Sequence, residues 1–423
     1  MKIHMVGIGG IGMSALAQLY AHDGHAVTGS DREASPTTEL LEKKGVHVLI
    51  GQHAENVPAD AALVVYSDAV PAENPERAEA ARRSVRQISY FRALGEVSAG
   101  KRTIAVSGTH GKTTTTGMLA KLLIDMGESP TTIVGSIVRD FGSNYVAGTS
   151  DLFVVEACEY RDHLLELSPE MLIITNLEWD HTDFFPSLAA LQDSFKKAVE
   201  KIPAHGAIVT NPSNPNIAPI LAGAKARILD YTKEPARALK LPGEFNEDNA
   251  RAAAAAARVV HPDVSEEALL RSLGSFSGTW RRFDIKGAAP GGSIVIDDYA
   301  HHPTAIAVTL TAAREKYPGK TLVVAFHPHL YTRTRDLMDE FRDALSKADR
   351  VLIAPIYAAR EEPIPGVTAE ALAARVQSLG RDAEAFDSLD AVEARLRELS
   401  SPGTLIITMG AGDIYKVAGR LVS

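Results

Sequence analysis

The sequence predicts an α/β protein of three domains. Two stretches place a glycine-rich turn between a short apolar run and an apolar-periodic helix, and the last third alternates strand and helix patterns. With 423 residues, the chain is longer than one hydrophobic core usually covers. We expect a Rossmann-like N-terminal domain at 1–98, a central P-loop-type mononucleotide-binding sheet at 99–282 and a Rossmann-like C-terminal domain at 283–423.

The composition is typical of a globular protein, with 45% apolar and 23% charged residues. A formal net charge of -9 argues against a non-specific binder of nucleic acid or of anionic membranes. The single cysteine, Cys158, excludes an internal disulfide and is typical of a reducing compartment. Lys2 is followed by a glycine-broken strand pattern instead of a signal-peptide core, and the alanine run at 252–257 is too short to span a bilayer. We therefore expect a cytoplasmic protein without nucleic-acid or membrane partners.

The N-terminal domain begins with a strand pattern at Lys2–Val6, the turn GIGGIG at 7–12 and a helix pattern. This glycine fingerprint holds a diphosphate over a helix N-terminus, as in NAD or in a nucleotide sugar. Asp31 closes the next strand, where it is either a ribose contact or an ordinary strand-end turn residue. Ser67 follows a later buried strand, at the edge where open α/β sheets bind ligands.

The stretch VSGTHGKTTTT at 106–116 is the strongest functional signal in the sequence. A strand, a glycine-rich turn and a helix start present backbone N–H groups to a triphosphate. Lys112 would then reach the β- and γ-phosphates, and the hydroxyl of Thr113 would reach Mg²⁺. Val106 stands where the full phosphate-loop pattern requires glycine, so the loop is a shortened version. The alternative is an ordinary turn with a surface lysine, which the strand–turn–helix context disfavours.

Two polar residues follow buried strands of the central domain. Glu156 ends one strand pattern, and His181 comes after another, within TNLEWDH. Because parallel strands end at the same edge of a sheet, we expect Glu156 to hold Mg²⁺ opposite Thr113 and His181 to reach a second ion near the γ-phosphate. Imidazole is a less typical Mg²⁺ ligand than oxygen. The alternatives are a solvated acid at Glu156 and a capping or core histidine at His181.

Asn246 and Asn249 lie at the start of an alanine-rich helix pattern within 241–258. Their amide groups are able to hydrogen-bond a nucleotide base or a neighbouring loop. For Asn246, a helix cap is an equally good interpretation.

The C-terminal domain carries polar clusters after its strand patterns, namely DDYAHHP at 297–303, HPHLYTRTRD at 327–336 and MGAGD at 409–413. The histidine pairs in the first two clusters suggest a zinc site, but the sequence offers no fitting cysteine partner and no HxxxH helix. Arg333, beside tyrosine and histidine, better suits the binding of a carboxylate or phosphate.

In this order the motifs resemble those of the Mur ligase family. The matching stretches are GIGGIGMS at 7–14, GTHGKTTTT at 108–116, EACEYR at 156–161, TNLEWDH at 175–181, WRRFD at 280–284, DDYAHHPT at 297–304, PHLYTRTRDL at 328–337 and MGAGD at 409–413. The resemblance covers all three domains. It is strongest for the member that joins L-alanine to the lactyl carboxylate of UDP-N-acetylmuramate, with ATP and Mg²⁺, through an acyl phosphate.

The resemblance implies a role for each candidate residue. It implies UDP-sugar binding, in place of NAD, by Gly9, Gly10, Ile11, Gly12 and Ser67. It implies ATP binding by Gly108, Thr109, His110, Gly111, Lys112, Thr113, Thr114, Asn246, Asn249, Arg281 and Arg282, with metal ions on Thr113, Glu156 and His181. It implies that Tyr299, His301, His329 and Arg333 face the amino acid, and that Lys112, Glu156, His181, His329 and Arg333 carry the catalysis.

The sequence departs from the family pattern at Phe245, at Leu330 and in the interval from Asn211 to Pro242, which is short, so that a peripheral piece of the central domain is expected to be missing. Phe245 replaces a histidine often found in the PGxHN motif, which bears on the adenine contacts. Leu330 stands where many relatives carry arginine, which bears on the binding of the alanine carboxylate.

A murein-peptide ligase, which joins a tripeptide to the same UDP-sugar, is one alternative function. An NAD(P)-linked oxidoreductase is another, but it leaves the phosphate loop without a role. We expect a monomer or a weak homodimer.

Overall fold

The computed structural model describes residues 1–359 and 361–423, and these residues form three β-sheets flanked by helices. They divide into two compact units. The first unit comprises Met1–Leu177, Gln192–Ala238 and Asn249–Ser277, and the second comprises Glu178–Leu191, Leu239–Asp248 and Gly278–Ser423. The first unit holds two of the sheets and the second holds the third. The predicted α/β class, with Rossmann-like first and third domains, is confirmed.

The first sheet has five parallel strands in the order β3-β2-β1-β4-β5. Its strands are β1 (Lys2–Val6), β2 (Ala26–Asp31), β3 (His47–Ile50), β4 (Leu63–Tyr66) and β5 (Arg86–Ser89), and its helices are α1 (Ile11–His22), α2 (Pro36–Lys43), α3 (Pro75–Arg82) and α4 (Tyr90–Ala99). The order reverses between β1 and β4, and such switch points are where open sheets bind ligands. The turn at 7–12 follows β1 and Ser67 follows β4, so both lie at that point.

The second sheet has seven strands in the order β12-β11-β10-β6-β9-β7-β8. Its strands are β6 (Arg102–Ser107), β7 (Thr131–Val138), β8 (Ser143–Val146), β9 (Leu152–Glu156), β10 (Met171–Ile174), β11 (Ala207–Thr210) and β12 (Arg227–Asp230). Its helices are α5 (Lys112–Asp125), α6 (Leu188–Lys201), α7 (Glu244–Val260) and α8 (Glu266–Ser275). The edge strand β8 runs antiparallel to β7, and the other pairs are parallel. The sequence pattern did not predict this hairpin edge or α8.

The third sheet, in the second unit, has six strands in the order β13-β14-β18-β15-β16-β17. Its strands are β13 (Asp284–Ala288), β14 (Ile294–Asp298), β15 (Thr321–Phe326), β16 (Arg350–Ile353), β17 (Asp382–Ala385) and β18 (Thr404–Met409). Its helices are α9 (Pro303–Lys316), α10 (Tyr331–Asp336), α11 (Met338–Leu345), α12 (Ala369–Gln377), α13 (Leu389–Leu399) and α14 (Ile414–Val422). β13 is antiparallel to β14 and the other pairs are parallel. Because β14, β18 and β15 are neighbours, the three polar clusters that follow them meet at one edge.

The core of the third sheet has two layers because side chains alternate along each strand. In β15, Leu322, Val324 and Phe326 belong to one buried cluster, and Val323 and Ala325 belong to the other. Leu337, whose φ of -118 is not helical, separates α10 from α11. None of the helices in 1–359 and 361–423 is long and apolar enough to cross a bilayer.

A buried polar cluster joins the first two sheets within the first unit. Asn144, on β8, donates to Ser14 Oγ at 3.0 Å and accepts from Gln18 Nε2 at 3.0 Å, both on α1. The hydroxyl of Ser143 donates to Gln18 Oε1 at 3.2 Å. Fully paired buried polar groups of this kind specify one packing arrangement. The helix that follows the first glycine turn is thereby fixed against the sheet that carries the phosphate loop.

Candidate active site

The phosphate loop, residues 107–112, connects β6 to α5. Gly108 and Gly111 have φ values of 127 and 81, in the region that side chains with a Cβ avoid. A Cβ at Gly108 would also collide with Thr175 Oγ1, and one at Gly111 would collide with Asn249 Oδ1. Glycine is therefore required at both positions by backbone conformation and by space.

Two residues after β10 hold the loop in place. The amide of His110 donates to Asn176 Oδ1 at 2.8 Å, and the amide of Thr109 donates to the Asn176 carbonyl at 3.2 Å. Asn176 Nδ2 and the hydroxyl of Thr175 both donate to the His110 carbonyl. Neither Thr175 nor Asn176 was among the predicted site residues. Their position directly after a buried strand, next to β6 in the sheet, was the available signal.

The cationic and hydroxyl groups of the loop contact two carboxylates. Lys112 Nζ donates to Glu159 Oε1 at 2.9 Å, and the hydroxyl of Thr113 donates to Glu156 Oε1 at 2.9 Å. The other oxygen of Glu156 accepts from the Gly135 amide at 2.6 Å. Burial disfavours the Lys112 ammonium, but the carboxylates of Glu159 and Glu156 raise its pKa above the usual value. The structure thus brings Thr113 and Glu156 together, and it adds Glu159, which sequence reasoning did not single out.

The start of α5 has the backbone geometry that suits an anion. The first turn of a helix leaves backbone N–H groups unpaired within the helix, and the helix dipole is positive there. Thr113 and Thr114 are buried in this turn, and Thr115 donates to Asn249 Oδ1 at 3.1 Å. Burial raises the pKa of the nearby Cys158 thiol to about 12, so Cys158 is not a thiolate nucleophile.

The two predicted asparagines differ in their surroundings. Asn249 belongs to the first unit, where it packs on Gly111. Asn246 belongs to the second unit and lies inside α7, so the interpretation of Asn246 as the N-cap was wrong. Its amide instead donates to the Pro242 carbonyl at 2.7 Å. The base contacts expected of both residues stay predictions.

The glycine turn at 7–12 is shaped by β2. The amides of Gly7 and Ile8 donate to the Ser30 carbonyl at 2.8 and 2.9 Å, and the amide of Gly9 donates to Asp31 Oδ2 at 2.8 Å. Asp31 is thus used to hold the turn. Gly10 precedes α1, Ile11 begins it, and a Cβ at Gly12 would collide with the Tyr90 ring. Ser67 lies beside Gly7, where a Cβ would be 3.1 Å from that of Ser67.

In the second unit, a buried ion pair stands beside three aromatic rings. Arg333 donates to Asp180 Oδ1 through Nε at 2.8 Å and Nη2 at 2.6 Å, and through Nη1 to His329 Nδ1 at 3.0 Å. The rings of His301 and His329 are 6.1 Å apart, and those of Tyr299 and His301 are 5.2 Å apart. The four residues predicted to face the amino acid are therefore neighbours. A guanidinium bonded to His329 Nδ1 also disfavours zinc at that nitrogen.

The charges in this cluster are fixed by their surroundings. Burial disfavours a charged carboxylate, but the Arg333 guanidinium holds the pKa of Asp180 well below its usual range. Burial and the charge of Arg333 hold the pKa of His301 well below its usual value, so the imidazole of His301 is neutral. His181 follows with a left-handed φ of 53, and its amide donates to Asp180 Oδ1 at 2.6 Å. Asp180 was absent from the predicted site, although it adjoins His181.

The two arginines predicted near the nucleotide lie in the second unit. Arg281 is buried, and its Nε donates to Asp297 Oδ2 at 3.0 Å. Asp297 also accepts from the Thr408 hydroxyl at 2.7 Å. The guanidinium of Arg282 lies over the Tyr299 ring, 5.0 Å from its centre. The guanidinium of Arg281 is also 5.0 Å from the centre of the Tyr299 ring, so both arginines contact the predicted amino-acid cluster, and Arg281 in addition supports the sheet edge.

The departures at Phe245 and Leu330 are both packing positions. Phe245 packs against the buried cluster of the third sheet. Leu330 is buried, with its amide donating to the Tyr357 carbonyl at 3.0 Å and a left-handed φ of 71.

Comparison with known proteins identifies the family. The Mur ligase family catalytic domain matches residues 2–102, the Mur ligase middle domain matches 106–239, and the Mur ligase glutamate ligase domain matches 281–412. The chain is 40% identical over 452 residues to the UDP-N-acetylmuramate--L-alanine ligase of Salinibacter ruber, covering 100% of this chain and 94% of the relative. It is 41% identical over 449 residues to the enzyme of the same name from Rubrobacter xylanophilus, covering 100% of both chains.

Solved structures give the same result. The UDP-N-acetylmuramate-alanine ligase MurC of Thermotoga maritima matches with a TM-score of 0.82 and 31% identity, covering 100% of this chain and 98% of that one. A murein peptide ligase of Psychrobacter arcticus matches with a TM-score of 0.75 and 26% identity, with the same coverage. The chain therefore belongs to the Mur ligase family.

Proposed function

We propose that this chain is an ATP-dependent ligase that joins the amine of L-alanine to the lactyl carboxylate of UDP-N-acetylmuramate, a step in peptidoglycan precursor synthesis. The observation that carries the proposal is the phosphate loop, with Lys112 and the Thr113–Glu156 pair at the start of α5. The full-length relatives at about 40% identity bear the name of this activity, which supports the choice of substrates. We place the reaction in the cytoplasm, as the single cysteine indicates, with the protein a monomer or weak homodimer.

The nucleotide would bind at the turn that contains Gly108, Thr109, His110 and Gly111. Backbone amides and the positive end of α5 would hold its phosphates, with Thr114 in the first helical turn. Lys112 would offset the charge that builds up on the transferring phosphoryl group. Asn246, Asn249, Arg281 and Arg282 are the residues that we assign to the rest of the nucleotide.

The donor set at Thr113 and Glu156 suits Mg²⁺. This ion takes octahedral oxygen ligands at about 2.1 Å, so adjacent ligands are roughly 3 Å apart. Thr113 Oγ1 and Glu156 Oε1 are 2.9 Å apart. We assign Thr113 and Glu156 to one metal ion and His181 to a second. Bound Mg²⁺ would neutralise phosphate charge and polarise the phosphoryl oxygens.

The chemistry requires an activated acid. A carboxylate is a poor electrophile, so its oxygen first attacks the γ-phosphorus of ATP, the bond to the ADP oxygen breaks, and an acyl phosphate forms. The amine of alanine then attacks the acyl carbon, the amine loses a proton, and inorganic phosphate leaves. Both steps bring negatively charged groups close together, and cationic side chains reduce the repulsion between them.

The second unit would receive the amino acid. We assign Tyr299, His301, His329 and Arg333 to this role because they form one cluster. The alanine ammonium has to be deprotonated before it attacks. Because His301 is held neutral, it adds no positive charge beside that ammonium. Asp180 orients Arg333 and keeps its buried charge paired.

The glycine turn would hold the diphosphate of the UDP-sugar through Gly9, Gly10, Ile11 and Gly12, with Ser67 alongside. An NAD site is less well supported, because the carboxylate expected to bind a ribose, Asp31, already accepts from the Gly9 amide. Murein-peptide ligation is a second candidate, and the similarity to the Psychrobacter arcticus enzyme supports it.

The test is product analysis with UDP-N-acetylmuramate, ATP and Mg²⁺, offering L-alanine, glycine, L-serine or the tripeptide in separate reactions. We expect ADP, phosphate and a UDP-sugar heavier by one alanine residue, with L-alanine preferred. Preference for the tripeptide would replace the proposal with murein-peptide ligation. Absence of any amide product would refute both.

A further inference from the structure

The ammonium of Lys112 has three hydrogen-bond acceptors around it. These are the carbonyl of Gly108 at 2.5 Å, the carbonyl of Thr109 at 3.2 Å and Glu159 Oε1 at 2.9 Å. A lysine ammonium has three N–H donors, so all of them are used. A phosphate oxygen can bond to Lys112 only if one of these acceptors gives way.

Glu159 is the acceptor that is able to leave. The two carbonyls belong to the phosphate loop, which Asn176 holds through the amides of Thr109 and His110. Glu159 comes from a different segment, after β9. Its carboxylate would also be repelled by a phosphate bound at the same ammonium, because like charges a few ångströms apart and away from water interact strongly.

The segment that carries Glu159 is built to allow this movement. The amide of Ala157 still donates to the Val106 carbonyl at 2.8 Å, and after it the chain leaves the sheet. Arg161 and Asp162, two and three residues beyond Glu159, have left-handed φ values of 53 and 61 although neither is glycine. Such conformations are sparsely populated and cluster at ligand clamps and switch regions. The amide of Asp162 donates to the Glu159 carbonyl at 3.1 Å, which couples this turn to Glu159.

We propose that Glu159 is a built-in competitor for the phosphate loop, which occupies Lys112 when no nucleotide is bound and is displaced when the β- or γ-phosphate arrives. This inference rests on the proposed function, in that the loop has to bind a nucleotide. Glu159 thereby weakens the binding of nucleotides that reach Lys112, and its return to Lys112 assists the release of ADP. A nucleoside monophosphate does not reach Lys112 and is unaffected.

The test is calorimetric binding of ADP and of AMP to the full-length protein without metal. Glu159→Gln keeps the size of the side chain and removes its charge, so we expect it to bind ADP about tenfold more tightly than the parent, with AMP binding unchanged. Glu166→Gln, an equal charge change at an exposed position of the same segment, should bind both ligands like the parent. Glu159→Ala should show the same gain for ADP.

Equal or weaker ADP binding by the Glu159 variants would overturn the inference, and so would a gain that AMP shares. A second comparison uses the Lys112→Ala background, in which there is no ammonium to compete for. Glu159→Gln should have no effect there, and a persisting gain would reduce its role to general charge repulsion and refute the competition. ADP binding without alanine-dependent phosphate release would count against the proposed function alone, and a parent that binds no ADP would refute both.

Discussion

Arg333 binds Asp180 through two guanidinium nitrogens, and the side chains of both residues are almost inaccessible to solvent. Removing one partner of such a pair leaves a buried charge uncompensated, which costs about 3–5 kcal/mol. We expect Arg333→Met to lower the free energy of unfolding by about that amount, measured by urea denaturation. Arg375→Met, which removes an exposed partner of Asp339 in the same unit, should cost under about 1 kcal/mol. Equal losses in the two variants would show that the Arg333–Asp180 pair is solvated.

Lys112 should be essential for chemistry and dispensable for binding of the sugar nucleotide. Lys112→Ala removes the cation that we assign to the transferring phosphoryl group, and we expect phosphate release to fall by at least about 10²–10³-fold. Affinity for UDP-N-acetylmuramate should be unchanged, because the glycine turn belongs to a different sheet. Lys121→Ala, on the same helix and paired with Asp125, is the matched control and should retain activity. Substantial turnover in Lys112→Ala would contradict the assignment.

The hydroxyl of Thr113 should set the magnesium requirement. Thr113→Val keeps the shape of the side chain and removes the oxygen, so we expect the Mg²⁺ concentration for half-maximal activity to rise about tenfold, equivalent to roughly 1.4 kcal/mol. Thr113→Ser retains the oxygen and should behave like the parent. A Mg²⁺ titration of phosphate release measures both, and an unchanged midpoint in Thr113→Val would remove Thr113 from the metal site.

Alanine substitutions at Gly111 and Gly127 distinguish the cost of backbone strain from the cost of steric collision. Both have left-handed φ values, 81 and 89, so alanine at either position costs about 1–2 kcal/mol. A Cβ at Gly127 meets nothing within 4 Å, whereas one at Gly111 meets Asn249. We therefore expect Gly111→Ala to be the more destabilising variant in thermal unfolding, and to lose ADP binding. Equal destabilisation by the two variants would mean that Asn249 moves aside freely.

His327 should make stability depend on acid pH. It packs against Tyr357, and burial lowers its pKa to about 4, against about 6.5 for an unfolded chain. Between these values the unfolded chain binds a proton that the folded protein does not, so the free energy of unfolding is highest above pH 6.5. It should fall by about 3 kcal/mol as the pH drops to 4.

The check is urea denaturation of the parent and of His327→Asn at several pH values between 4 and 7. Because the substitution itself changes the stability, the slope against pH is the quantity compared. A slope as steep in His327→Asn as in the parent would assign the acid sensitivity to other groups. His47→Asn, at an exposed position, should keep the parental slope.

Local signals explain what the sequence could predict. The phosphate loop is a contiguous stretch whose glycines, lysine and flanking periodicity all agree. The Thr113–Glu156 contact could be anticipated because β6 and β9 are adjacent parallel strands, with Val106 opposite Glu156. One strand that was not predicted, β17, has a weak pattern, because its sequence DAEA contains no β-branched residue.

What the sequence could not supply is the partner of each polar group. Glu159, Asn176 and Asp180 are ordinary polar residues in the printed chain, and their importance comes from Lys112, His110 and Arg333, which are distant in sequence. Asp31 is the opposite case. Its position in the sequence suggested a ribose ligand, but its carboxylate accepts from the Gly9 amide within the protein. Long-range pairing has to be known before such residues can be distinguished from surface groups.

The most direct measurement is a crystal structure with a non-hydrolysable ATP analogue and Mg²⁺. We expect the phosphates to lie over the turn at Gly111, with Lys112 on the β- or γ-phosphate and the metal on Thr113 and Glu156. A nucleotide bound anywhere else in the protein, including the glycine turn at 7–12, would contradict it.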